Sequence, residues 1–244
     1  MSGGVGRHDG RRRAILALDT ATSRVVIATG SPDGVADGVS TWIAGHRHGE
    51  HLLSSIERFL GEGNLRRSRL VGIVVGTGPG AFTGLRVGMA TAKGLAHGLR
   101  IPLVGVSSGE ALLDAADDAG GADTPSVLLL PAGPSDRVML RRGAAPRLLP
   151  GGTDPELRPD EVLVAVDLDG RAPADAVARG GAAQDRLGYA LLRAGAHRLA
   201  ALRAESGWDA AALGELATLV PEYVSLPRGV TTMSGTVAWS RDPR

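Results

Sequence analysis

The stretch GTGPGAFTGLRVG, residues 76–88, constrains the chain more than any other. It follows an unbroken apolar run, LVGIVV (70–75), and opens an apolar-periodic segment. Buried strand, glycine-rich turn, then helix is an α/β arrangement in which bare backbone N–H groups at a helix start can hold an anion. The common phosphate-binding patterns do not fit. A P-loop closes its spacing with Gly-Lys and a hydroxyl residue, whereas Lys93, the only lysine, lies well inside the helix. The dinucleotide fingerprint needs Gly-x-Gly-x-x-Gly, but Gly76-Thr77-Gly78 is followed by Pro79-Gly80-Ala81. Thr83 is a fair N-cap. Gly84 and Gly88 are four apart, and so are Ala90, Gly94 and Gly98, a spacing that stacks small residues on one helix face. Each interior glycine costs about 1 kcal/mol relative to alanine. The spacing therefore favours close approach of another backbone over phosphate binding.

Around this loop the chain alternates strands and helices. AILALDTA, RVVIATG and GVSTWIAG within residues 14–45 read as three strands joined by short turns. Residues 50–60 place Leu52, Leu53, Ile56, Phe59 and Leu60 at helical spacing, with Gly61 as the stop. Residues 84–97 form a second helix closed near Gly98, PLVGV (102–106) a further buried strand, and Gly109 to Ala119 a third helix. Beyond GGADTP (120–125), VLLL (127–130), RVML (137–140), PRLL (146–149) and VLVAV (162–166) are strands, and 184–206 is a long helix. Three hairpin-linked strands followed by alternating helices and strands resemble half of an actin/hexokinase-type fold, with Asp19 at the first hairpin turn. The expected division is a disordered Gly- and Arg-rich tail (1–13), an N-terminal actin-like lobe (14–108), a smaller degenerate second lobe (109–208) and a C-terminal return segment (209–244).

With a formal charge of +1, no global field announces a nucleic-acid binder. The absence of cysteine removes disulfides and thiol chemistry and fits a reducing cytosol. The apolar run after residue 13 is cut short by Asp19, far too soon for a signal-peptide core or a membrane span. A soluble, cytoplasmic protein is expected.

GTGPGAFTGLRVGMATAKGLAHGLRIPLVGVS, with ILALDTAT and HGEHLL, closely resembles the TsaB (YeaZ) proteins of bacteria over residues 14–113. PEYVSLP (221–227) is similar to the family's closing Pro-x-Tyr-Leu-Arg, with Ser225 in place of Arg. The resemblance implies an actin-like α/β fold of two lobes. It also implies the role of a non-catalytic dimerisation or activating subunit in threonylcarbamoyl transfer to the adenosine beside the anticodon of tRNAs reading ANN codons. The partner would be a catalytic paralogue, TsaD, which itself binds ATP and a metal. A TsaE-like ATPase is a further expected partner, a homodimer the expected state alone, and tRNA is met only indirectly. Docking would use the two N-terminal-lobe helices, at His48, Leu52, Ser55, Ile56 and Phe59 on the first and Arg86, Val87, Ala90, Lys93 and Gly94 on the second. In the paralogue, two His at i and i+4 after the 102–106 strand hold the metal; here those positions are Ser108 and Leu112, poor or useless as ligands. The chain also departs from many TsaB proteins, having Pro131-Ala132-Gly133 where they carry Asp-Ala-Arg.

No catalytic residue, metal site or cofactor is assigned to this chain. HRHGEH, with His46, His48, Glu50 and His51, lacks the His-to-His spacing of a zinc protease and reads as a solvated helix start. Asp19, Thr20 and Thr22, with Gly78 and Gly80, form the nucleotide remnant: a carboxylate and hydroxyls suit Mg²⁺ through water, but Asp and Thr are also ordinary turn formers. The alternative function is therefore an actin-fold small-molecule kinase or ATPase. Arg7, Arg11, Arg12, Arg13, Arg66, Arg67 and Arg69 could meet tRNA phosphates, yet aromatics make up only 3% of the chain and offer no stacking platform.

Overall fold

The computed structural model describes residues 12–44, 51–120, 124–206, 216, 218–224, 230–233 and 236–239. β1 (Ala14–Asp19) is buried along its whole length and lies at the centre of a five-stranded sheet. Short turns impose antiparallel pairing of β1 with β2 (Arg24–Gly30) and of β2 with β3 (Ala36–Ile43). After β3 each return to the sheet passes through a helix, which makes the added strands parallel. α1 (Leu52–Glu62) leads to β4 (Leu70–Gly76), and α2 (Phe82–Leu99) leads to β5 (Leu103–Val106), giving the order β3-β2-β1-β4-β5.

α3 (Ser108–Gly120) connects to a second sheet of β6 (Ser126–Pro131), β7 (Arg137–Leu140), β8 (Arg147–Leu149) and β9 (Val162–Ala165), in the order β8-β7-β6-β9. β6 pairs antiparallel with β7 and parallel with β9. This repeats the order and directions of β3-β2-β1-β4. Where α1 stands in the first half, residues 150–161 run as turns and coil, and α4 (Ala174–Ser206) follows β9 as α2 follows β4. No fifth strand joins this sheet among the described residues. The fold is thus actin-like, with a reduced second half. β10 (Val230–Met233) and β11 (Thr236–Trp239) form a separate hairpin.

Strand alternation decides where the core sits. Ala14, Leu16 and Leu18 of β1 face α1 and α2, packing with Leu52, Ile56, Phe59, Ala92 and Ala96. Ile15 and Ala17 face the other way, into a cluster that runs through α3 and α4 to Leu128, Leu130, Val138 and Val164 of the second sheet. α3 and α4 therefore lie between the two sheets. α4 rests close on the first one because Gly188 faces Ala28 and Val39, and Gly195 faces Val74.

Several boundaries differ from the sequence reading. α1 passes through Gly61 and ends at Glu62, because Asn64, at φ 53, makes the left-handed turn that stops it. Thr83 is not the N-cap of α2: it lies inside the helix, and Ala81 stands at the cap without a side-chain bond. α4 begins ten residues before the expected start, just after Pro173, and continues through Gly180-Gly181. The tail residues 1–11 and part of GGADTP lie outside the described residues. No described helix is long and apolar enough to cross a membrane.

Candidate functional site

The C-terminal ends of β1 and β4 bring the first turn and the glycine loop together, as expected for crossings that all leave a parallel sheet on the same side. Asp19 is fully buried there. Its Oδ2 accepts a 2.5 Å bond from Ser108 Oγ, and its Oδ1 accepts from Ala21 N at 2.9 Å. Ser108 Oγ in turn accepts from Gly78 N at 3.1 Å, so Ser108 links the carboxylate to the loop. Thr20 Oγ1 donates to the Gly84 carbonyl at 2.7 Å, and Ala81 N donates to the Ala21 carbonyl at 2.7 Å.

These contacts explain the glycines. A methyl group at Gly76 would collide with the Asp19 carboxylate, at Gly80 with the Ala21 carbonyl, and at Gly88 with Thr20 Oγ1. Gly78 is at φ +108, ahead of a cis Pro79. The close approach predicted from spacing is real, but for the loop and first helical turns it comes from the end of the chain's own β1 and the β1–β2 turn, by side chain at Gly76 and Gly88 and by backbone at Gly80. Gly94 and Gly98 have nothing within 4 Å of an added methyl group and lie on the exposed face of α2.

The loop is covered from outside by the segment 218–224. Glu222 N donates to the Thr77 carbonyl at 2.7 Å, and Thr77 Oγ1 donates to the Glu222 carboxylate at 2.5 Å. Tyr223 packs on Phe82 with ring centroids 5.0 Å apart, and the Arg86 guanidinium sits 4.3 Å over the Phe82 ring. The PEYV part of the closing motif therefore clasps the glycine loop; Ser225 lies outside the described residues.

The remnant residues Asp19, Thr20, Thr22, Gly78 and Gly80 are thus gathered in one place, but they are closed on one another. Thr20 and Thr22 are buried, and Thr22 Oγ1 accepts from Gln184 Nε2 of α4 at 3.2 Å. As packed, the Asp19 carboxylate is turned inward and engaged by protein donors. Among the described residues no group of three or more His, Asp or Glu side chains is placed to hold a metal ion. Leu112 is fully buried in the core. His46, His48 and Glu50 lie outside the described residues.

The residues expected at a helix interface divide sharply. Leu52, Ile56 and Phe59 are 1%, 1% and 4% exposed, being the apolar stripe that fastens α1 to the sheet, so they do not form an outward contact surface. The face α1 turns to solvent carries Leu53, Ser54, Glu57 and Arg58, with Ser55 half-buried. On α2, Arg86, Ala90 and Gly94 are exposed, and Val87 and Lys93 are half-buried. Sequence reasoning missed Asp167, Gln184 and Glu222 as parts of this region. Asp167 carried a usable signal: it closes VLVAVD as Asp19 closes ILALD, an aspartate leaving a buried strand in each half.

A family model described as TsaD, tRNA N6-adenosine threonylcarbamoyltransferase, matches residues 29–153. A tRNA N6-adenosine threonylcarbamoyltransferase of Cereibacter sphaeroides is 38% identical over 140 residues, covering 57% of this chain and 36% of that protein. An uncharacterized protein of Mycobacterium tuberculosis is 39% identical over 99 residues, covering 40% of this chain and 47% of that one. The chain spans less than half the length of these curated relatives. The solved structure of YeaZ from Pseudomonas aeruginosa superposes with a TM-score of 0.59 at 22% identity, covering 87% of this chain and 100% of that one. The matched span contains the glycine loop, both outer helices and the return into the second sheet, and the chain belongs to the TsaD family, built on a YeaZ-like fold.

Proposed function

We propose that this chain takes part in threonylcarbamoyl modification of tRNA as a non-catalytic subunit. It would dock the outward faces of α1 and α2 on a TsaD-like catalytic paralogue and hold that partner in a productive state. The observation that carries the reading is the burial of Ser108 and Leu112. These stand where the resemblance places the paralogue's metal-binding His pair, and here one bonds Asp19 while the other fills the core. A chain with this packing contributes to the reaction through a surface rather than through a metal centre.

The exposed stripe Arg86, Ala90 and Gly94 supports the choice of surface, since small residues there leave room for a partner helix. Ala90→Arg and Gly94→Arg test it. Both positions are exposed, and replacing Gly94 raises helix propensity by up to about 1 kcal/mol, so the fold should persist. The expected outcome is loss of co-purification with the paralogue and loss of the modified adenosine from tRNA in cells carrying only the variant, with the melting temperature unchanged or raised. Normal modification in those cells would overturn the proposal.

A further inference from the structure

β1, β4 and β5 run parallel, so all three begin at one end of the first sheet, the end away from the glycine loop. Arginines precede each start. Arg12 and Arg13 lead directly into β1, Arg66, Arg67 and Arg69 into β4, and Arg100 stands between α2 and β5. The last turns of α4 lie over the same strand starts, where Leu199, Leu202 and Arg203 line a cavity with Ile15, Val71 and Pro102. Seven arginines far apart in the sequence are thus gathered at one end, and all but Arg69 are exposed. Arg67 meets Glu57 at 3.3 Å. No carboxylate among the described residues pairs with Arg12, Arg66, Arg69 or Arg100. The carboxylates at this end are fewer: Asp33 and Asp37 flank the corner between β2 and β3, and Glu62 is met by Arg58 at 3.8 Å. Arg100 and Arg203 end helices, where a cation suits the helix dipole on any reading. Arg12, Arg66 and Arg69 have no such reason to be there. The whole chain carries a formal charge of only +1, so positive charge is concentrated at this end rather than general.

Guanidinium forks match phosphate oxygens, and contacts of this kind hold a nucleic acid by its backbone without reading its bases. No exposed aromatic side chain among the described residues stands with these arginines. A single strand would find no ring to stack on, whereas paired RNA presents its phosphates and needs none. We infer that the arginine end of the first sheet is a contact surface for the phosphate backbone of base-paired RNA, and that the chain meets tRNA there directly. The choice of tRNA rests on the proposed function. RNA binding itself is measured without the paralogue, so the inference and the proposed docking can each fail alone.

The full-length protein is titrated into a fluorescently labelled, unmodified tRNA transcript, and anisotropy is followed at about 50 and about 200 mM KCl. With about four phosphate contacts, the dissociation constant is expected on the order of micromolar at the lower salt and about 100-fold weaker at the higher. Arg12→Ala, Arg66→Ala and Arg100→Gly together remove three guanidiniums, and glycine suits the left-handed φ of 54 at position 100. The triple variant is expected to keep its melting temperature and its co-purification with the paralogue. It should bind tRNA at least about tenfold more weakly at the lower salt, with a salt slope reduced by roughly three. Arg147→Ala, on the second sheet, should bind as the parent does. Should the change at Arg100 disturb the end of α2, Arg12→Ala with Arg66→Ala alone should reduce the slope by roughly two. No saturable binding by the parent at the lower salt overturns the inference. So does a folded triple variant with the parent's affinity and slope, or an equal loss in Arg147→Ala. Tighter binding of a poly-uridine strand than of tRNA overturns the assignment to paired RNA, and capture on phosphatidylserine vesicles without tRNA binding makes this end a membrane contact instead.

Discussion

Gly88 and Gly94 lie on one helix, and a methyl group added to each meets opposite surroundings. At Gly88 it runs into Thr20 Oγ1, whose hydroxyl is committed to the Gly84 carbonyl, while at Gly94 it meets open space. Gly88→Ala is therefore expected to cost about 1–3 kcal/mol as overpacking, and Gly94→Ala to stabilise by up to about 1 kcal/mol. Urea denaturation of the two variants reads the difference directly, and a shared sign would contradict the packing described for the loop. The same pair marks what was legible at this scale. Four-residue spacing correctly announced small faces, but Gly84 and Gly88 are separated from Ala90, Gly94 and Gly98 by a two-residue step. At about 100° per residue that step centres the second stripe roughly 100° round the helix from the first, enough to leave Gly84 and Gly88 buried beside Thr20 and Ala90, Gly94 and Gly98 exposed. A single sequence shows the spacing but not which face meets the sheet. Asp19 was recognised as a turn carboxylate, whereas its capture by Ser108, 89 residues away, had no local signal.

Strands bounded by clear turns were read to within a residue or two, because alternation and β-branched runs are local properties. RVML at 137–140 and RVVIATG at 24–30 match β7 and β2. Helix ends were less legible, since a glycine near an end looks like a stop whether or not tertiary contacts require it. Gly180 lies inside α4 because a side chain there would strike the Ala165 carbonyl of β9, so the glycine marks close packing rather than a break. The loop 150–161, which replaces a helix, needs a fastening of its own, and Glu161 provides it. Its carboxylate accepts from Arg141 Nε at 2.7 Å and Nη2 at 2.9 Å, and from Arg158 N at 2.8 Å. Chiefly through the Arg141 hydrogen bond, and against the opposing effect of burial, it is held at about 2, below an ordinary value of 4.5. A carboxylate with a lowered folded-state pKa stabilises the protein fully above its unfolded value and loses that contribution as pH falls toward the folded one. Glu161→Gln should thus be destabilising at neutral pH, with the gap to the parent narrowing below pH 4.5 and closing near pH 2. Denaturation midpoints across that range check it; a gap independent of pH would mean that the charge plays no part in holding the loop.

Across the described residues, the second half repeats the strand order of the first with no counterpart of α1 and no fifth strand, which is why its sequence pattern weakens after residue 125. Two cues of the first half are missing there, and the strands are only three to six residues long. Left alone, the four-stranded sheet has only a small cluster on its outer face, built around Val127, Leu129, Met139 and Leu163. Its other face is shared with α3, α4 and the first sheet, through Leu128, Leu130 and Val164 packed in one cluster with Leu187, Leu191, Val74 and Val104. A sheet that owns only one small face of its own has little stability apart from its neighbour, so the two halves should unfold together. Leu191, fully buried between the sheets, is the position at which to test this. Leu191→Ala removes packing from both at once and should cost about 2–5 kcal/mol. Hydrogen exchange followed by mass spectrometry should show β1 and β6 losing protection by the same factor, with a single denaturation transition kept. If β6 opened in a separate, earlier step while β1 kept its protection, the central helices would be holding two independent units side by side rather than sharing one core between them.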